Sequence, residues 1–162
     1  MTATQHRPGE EDRLRLCAHG ILHHLREDVR DELIEQFHVE DVPAGAHVLE
    51  EGGLNSRLFI VLKGAVSVKL PKQGHRVSEV RLATLGVGEA FGEYSLFDAQ
   101  PVSAAVYATE PTRLAWLEKT VLDRFVAGHD PDSARCFYEG VIRILVTRLR
   151  EKNAELDFIT IG

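Results

Sequence analysis

The chain contains no apolar run approaching the ~18 residues of a membrane-spanning helix. Its opening stretch, Met1 to Asp12, is polar and lacks the apolar core of a signal peptide. Membrane insertion and secretion are therefore not expected, and a cytoplasmic location is. Cysteine is scarce: Cys17 and Cys136 stand far apart with no Cys-x-x-Cys spacing, so they read as reduced thiols, with a disulfide as the alternative. Positive charge is not in excess either. Lys and Arg number 19 against 25 Asp and Glu, leaving a net charge of −6, so no overall field draws in nucleic acid. Six prolines and 13 glycines are too few for a low-complexity chain. Neither a Gly-x-Ser-x-Gly elbow nor a His-Glu-x-x-His motif occurs. With no nucleophile assembled beside a base, no catalytic residue is assigned and an enzyme is not expected.

What is present is 162 residues, 44% apolar and 27% charged, enough for one globular domain that buries roughly 70% of its unfolded surface without a staple. Leu14, Cys17, Ile21, Leu22 and Leu25 recur at helical spacing, and Val29, Leu33, Ile34 and Phe37 do so again behind an acidic start at Glu27 and Asp28. From His38 the period changes to short β-like runs separated by glycine. These are His47 to Leu49, the continuous apolar run Leu58 to Leu62, the alternating Val66, Val68 and Leu70, Val80 with Leu82, Ser103 to Thr109, and Arg113 to Leu117. About eight strands at this spacing predict a β-sandwich or closed barrel of jelly-roll type. Helical spacing returns with Leu122, Phe125 and Val126, and Asp132-Ser133 is placed to cap a longer helix reaching about Asp157.

The glycine-rich stretch Gly86-Val87-Gly88-Glu89-Ala90-Phe91-Gly92-Glu93 lacks the lysine and Ser/Thr of a P-loop, and no dinucleotide-binding unit fits after it. It continues through Tyr94-Ser95-Leu96-Phe97 and a polar bend at Asp98 to Pro101, into Val102-Ser103-Ala104-Ala105-Val106. Together with Gly45, Glu51-Gly52 and the Phe59 to Gly64 run, in that order, this set resembles the cyclic nucleotide-binding domain family, the catabolite-activator and Fnr-type regulators and kinase regulatory subunits. The resemblance covers about residues 27–155. It implies an eight-stranded double-stranded β-helix (jelly roll), mainly β with flanking N-terminal helices and a long C-terminal helix. The implied division is a helical extension over 1–26, the nucleotide-binding-type jelly roll over 27–130, and a dimerisation and signalling helix over 131–162.

The resemblance also implies a ligand site at Gly92, Glu93, Tyr94, Ser95, Val102, Ser103 and Ala104, with cAMP or cGMP as candidate ligands and no cofactor. A short helix after Gly92-Glu93 offers backbone N–H groups to an anion. Glu93 matches the carboxylate that binds the ribose hydroxyl, and Ser103 matches the Ser/Thr that reaches the phosphate. Where the family has an arginine before that Ser/Thr, this chain has Val102. A charge-assisted hydrogen bond contributes about 1.5 to 3 kcal/mol, so its loss predicts roughly 10- to 150-fold weaker binding. Lys63, Lys69, Arg76 and Arg81 are the candidate replacements. The plainer alternative is that Gly86, Gly88 and Gly92 make positive-φ turns, Glu93 caps the short helix, Ser103 is a strand residue and Val102 a core valine. The protein would then be a ligand-free interaction module on the same fold.

Tyr138, Ile142, Leu145, Leu149 and Leu156 share one heptad frame with Lys152 as its polar member, which predicts either a homodimer seam or a helix packed on its own barrel. Lys152 and Asn153 lie where the family presents base-contacting residues. A further protein partner is compatible with the same stripe. Between Glu139 and Glu155 four basic residues face three acidic ones, a mixed face rather than a phosphate-tracking stripe. The helix-turn-helix of transcription-factor relatives would follow this helix, and the chain stops at Gly162, so no direct DNA binding is expected. His19, His23 and Glu27 fall at four-residue intervals and would offer one metal-binding helix face, but packed or solvated histidines are the expectation and no metal is assigned. His47 and His75 stand alone, without the His-x-His of cupins.

Overall fold

The continuous apolar run at residues 58–62 explains the architecture. In strand β4 (Arg57–Lys63) all of these side chains are buried. Successive side chains leave a strand on opposite faces, so Leu58, Ile60 and Leu62 join a core built with the helices, while Phe59 and Val61 join a second core between two sheets. Strand β9 (Thr112–Glu118) pairs with β4 and splits in the same way, Ala115 and Leu117 to the helices, Leu114 and Trp116 inward. A strand covered on both faces has no polar side to alternate with.

The computed structural model describes residues 5–160. A five-stranded sheet runs β1 (Gln5–His6), β2 (His38–Val42), β9, β4 and β7 (Ala90–Phe91) in spatial order. A four-stranded sheet runs β3 (His47–Leu49), β8 (Ala105–Ala108), β5 (Val66–Leu70) and β6 (Val80–Leu85). All pairings are antiparallel. Where β6 pairs with β5 the register slips, leaving Leu82 as an extra residue on the edge strand. The mainly β class with flanking helices is as expected, with β2 and two strands of two residues, β1 and β7, too short to show any alternation, added to the six runs named from the sequence.

The helices are α1 (Glu10–Cys17), α2 (Glu27–Gln36), α3 (Glu93–Asp98), α4 (Lys119–Gly128) and α5 (Pro131–Thr160). The first departs from expectation. It ends at Cys17 instead of running to Leu25, and Leu16 is buried while Leu14 is exposed. Residues 18–25 form a chain of turns held by bonds such as His19 N–H to the Leu16 carbonyl. Helix α5 crosses there with no space to spare: a Cβ on Gly140 would lie 2.8 Å from the Ile21 Cα and 3.0 Å from the Gly20 carbonyl oxygen. Among the described residues no helix carries His19, His23 and Glu27 together, so their four-residue spacing makes no shared helix face. His19 is a buried packing residue whose Nδ1 accepts from the Ile21 N–H at 3.2 Å, and burial lowers its pKa to about 4.

Helix α5 is capped two residues earlier than anticipated, by Asp130 instead of Asp132. The Asp130 carboxylate accepts from the Ser133 N–H (3.0 Å) and hydroxyl (2.8 Å), and Pro131, which has no N–H to leave unpaired, opens the first turn. The heptad stripe divides. Phe137 and Val141 are buried and Ile144 and Leu145 pack against the helix-side core, so Leu145 belongs to the fold's own interior. Tyr138, Ile142, Val146, Leu149 and Leu156 are exposed. No helix among the described residues is long and apolar enough to cross a membrane.

Candidate functional site

Asn55 sets the geometry of the glycine-rich segment. Its side-chain amide donates to the carbonyls of Arg57 (2.8 Å) and Gly92 (2.9 Å), and its Oδ1 accepts from the Arg57 N–H (3.0 Å). Gly92 is thereby pressed onto β4. At φ +81° it adopts the left-handed conformation, and an added Cβ would meet the Arg57 carbonyl oxygen at 2.7 Å, so glycine is required there on two counts. Gly88 also has a positive φ, but Gly86 does not; it is held by its N–H donating to the Glu89 carboxylate at 2.7 Å. The turn delivers the chain into α3, which begins at Glu93.

Across the sandwich, Val102 is fixed in both directions to the turn after β3. Its carbonyl accepts from the Gly52 N–H (2.8 Å) and its N–H donates to the Gly53 carbonyl (2.9 Å). A cavity of about 420 Å³ lies between these two segments, strands β5 and β6, and helix α5. Gly92, Glu93, Tyr94, Ser95, Val102, Ser103, Ala104 and Lys152 all line it, whereas Asn153 does not. Asn153 is exposed one position beyond the cavity-facing side of the helix.

The charged groups follow a different pattern from the one anticipated. Lys63, Lys69, Arg76 and Arg81 are all absent from the lining. Arg76 donates to both Glu51 oxygens at 2.7 Å, Lys69 pairs with Glu79 at 2.8 Å, and Lys63 and Arg81 are exposed. Among the described residues two cations line the cavity, both on α5: Lys152 and the less exposed Arg148. The Arg148 guanidinium donates to the Glu93 carboxylate and to the Ala90 carbonyl. Glu93 is 5% exposed; burial pushes its carboxyl above the ordinary value while the Arg148 charge and hydrogen bond draw it back down. The Glu93 side chain thus binds across to α5. One turn further on, the Lys152 ammonium donates to the Leu82 carbonyl on β6 and to Glu155, each at 2.7 Å. The Leu82 bulge supplies that carbonyl. Helix α5 is therefore tied to both rims of the cavity, by Arg148 on one side and Lys152 on the other.

In the sequence Arg148 is hidden among the mixed charges of residues 139–155. A signal was there: Phe137, Val141, Ile144 and Arg148 continue one inward helical track at intervals of three and four. An arginine at the end of a buried track points into the fold.

The pattern of the cyclic nucleotide-binding domain family matches residues 39–129. The chain belongs to that family. It is 28% identical over 141 residues to a CRP-like cAMP-activated global transcriptional regulator of Mycobacterium tuberculosis, covering 87% of this chain and 60% of the relative. It is 32% identical over 145 residues to Glutaminase 1 of Bradyrhizobium diazoefficiens, covering 90% of this chain but 22% of that protein. The chain thus spans only part of the relatives it matches. A cyclic nucleotide-binding domain from Methylobacillus flagellatus superimposes with a TM-score of 0.84 at 22% identity, covering 99% of this chain and 90% of that one, which places the two sheets and long helix in the jelly-roll fold of this family.

Proposed function

We propose that the domain is a non-catalytic regulatory module that takes a cyclic nucleotide, or a related small anion, into the cavity between Gly92–Ser95, Val102–Ala104 and α5, and passes occupancy on through α5. The observation that carries this reading is the cavity itself. Val102 is part of its wall, and about 420 Å³ lies against Val102, Glu93, Ser95 and Ser103, a volume within the usual range for small-molecule sites. A collapsed or hydrocarbon-filled hollow would have left a docking surface alone. The name of the mycobacterial relative, a cAMP-activated regulator, supports the ligand class. Transmission is population shift: a ligand acts to the extent that it favours one position of α5 over another. The exposed apolar side chains of α5, chief among them Ile142 and Leu149, are the surface through which a homodimer or protein partner receives the change.

A second reading is a ligand-free interaction module. It is favoured by the hydrocarbon side chain of Val102, 8% exposed, in the place of the family's arginine. Calorimetric titration with cAMP and cGMP, on the wild type and on Val102→Arg, separates the two. Binding by the wild type supports the sensor. Silence from both proteins removes it and leaves the interaction module. Dimerisation is tested by sedimentation: Leu149→Glu is expected to lower the mass toward that of a monomer, and an unchanged mass would remove this stripe as the seam.

A further inference from the structure

We propose that the anion contact that position 102 cannot make is made from α5, by Arg148 with Lys152 one turn beyond it, so that an anionic ligand is held only when the helix is docked. This rests on the ligand reading above and adds the source of the positive charge and its consequence for signalling.

Among the described residues the cavity is lined by four carboxylates, Glu89, Glu93, Glu151 and Glu155, and by two cations, Arg148 and Lys152. Both cations stand on α5, four residues apart and so on one face of the helix. Among the described residues the β-sandwich contributes no cation to the lining: it offers hydrocarbon at Val102, Ala104 and Val106 and the hydroxyls of Thr84 and Ser103. An anion in this space would meet an acidic lining unless it lay against those two side chains, because a buried charge is tolerated only when paired.

Both side chains are placed and equipped for the role. The Arg148 guanidinium has five N–H donors, of which those to Glu93 and the Ala90 carbonyl are engaged. The Lys152 ammonium has three, with bonds to Leu82 and Glu155. Each retains donors for a ligand while its present bonds hold it at the cavity rim. Arg148 is held more firmly, with its side chain 22% exposed against 47% for Lys152, and is assigned the larger share of the contact.

The location matters more than the charge. An arginine at position 102 would sit on the sandwich and hold an anion wherever α5 happened to lie. A cation carried by α5 makes ligand affinity and helix docking a single equilibrium, since each requires the other to the same extent. The lost arginine is then a relocation of the charge onto the moving part.

The test is titration of cAMP, with adenosine as the uncharged counterpart, against wild type, Arg148→Gln, Lys152→Gln, Val102→Arg and the double variant Val102→Arg/Arg148→Gln. Arg148→Gln is expected to weaken cAMP by roughly 10- to 150-fold and to leave adenosine within a few-fold. Val102→Arg is expected to restore cAMP binding in the double variant, which shows that a loss in the single variant is not misfolding. Lys152→Gln should weaken cAMP less. Equal cAMP affinity in wild type and Arg148→Gln would overturn the inference and leave the ligand reading standing. Binding by Val102→Arg alone, with a silent wild type, would also overturn it, because the helix cations would then be unable to serve. Silence from every variant would overturn the ligand reading and the inference with it.

Discussion

The two halves of α5 are attached to the protein by different forces. From Phe137 to Leu145 the helix is anchored by burial: Phe137 and Val141 lie in the helix-side core, Ile144 and Leu145 pack against it, and Gly140 lets the backbone touch the turns at Gly20 and Ile21. From Arg148 onward polar bonds tie it to the sandwich, Arg148 to Glu93 and Ala90 and Lys152 to Leu82. Hydrophobic burial is strong and independent of a ligand, about 1.5 to 3 kcal/mol for each large side chain. Polar bonds beside a cavity can be exchanged for bonds to whatever enters it. The anchored half is therefore a pivot and the tethered half the arm, and the cavity lies under the arm.

Substitutions in the pivot should cost stability in proportion to what is buried. Phe137→Ala leaves a void at a fully buried position of the helix-side core and is expected to cost about 3 to 5 kcal/mol by chemical denaturation. A loss under 1 kcal/mol would mean that the helix is not anchored there. Acid should loosen the same region. His19, in the turns beneath Gly140, has a pKa of about 4 in the folded chain against an ordinary value near 6.5. The unfolded chain therefore takes up a proton between pH 6.5 and 4 that the folded chain refuses. Stability is complete above this window and falls as pH drops through it, by on the order of 3 kcal/mol. His19→Gln should flatten that part of the stability profile, and an unchanged slope would contradict the assignment. Gly140→Ala, which forces a Cβ onto the Ile21 backbone, is expected to cost about 1 to 3 kcal/mol in the same assay.

In the arm the effects should be small on stability. Lys152→Ala, at a half-exposed polar tether, should change folding by about 0.5 kcal/mol or less. If it proved as costly as Gly140→Ala, the division of α5 into pivot and arm would fail.

The sequence carried the fold further than the site. The unbroken run of β4 and the alternation of β5 are direct consequences of which faces are covered, and the order of Gly45, Glu51-Gly52, Gly92-Glu93 and Ser103-Ala104 was enough to suggest the family. The apolar spacing of Ile21, Leu22 and Leu25 predicts a helix, but it also suits the compact series of turns at 18–25 packed under another helix. What separates the two cases is the approach of Gly140, more than a hundred positions away. The candidate replacements for the missing arginine, Lys63, Lys69, Arg76 and Arg81, all lie near the strands, whereas Arg148 is brought to Glu93 by the docking of α5. Asn55 gave no signal either, since a lone asparagine between two strands is ordinary until the Gly92 carbonyl is seen beside its amide.

Hydrogen exchange along α5, measured with and without saturating cAMP, tests the central claim most directly. Exchange is expected to slow over residues 148–156, where the arm closes on the ligand, and to stay unchanged over residues 137–145, where the helix is already held by its core. Equal slowing along the whole helix, or no change over residues 148–156 at saturation, would contradict the account.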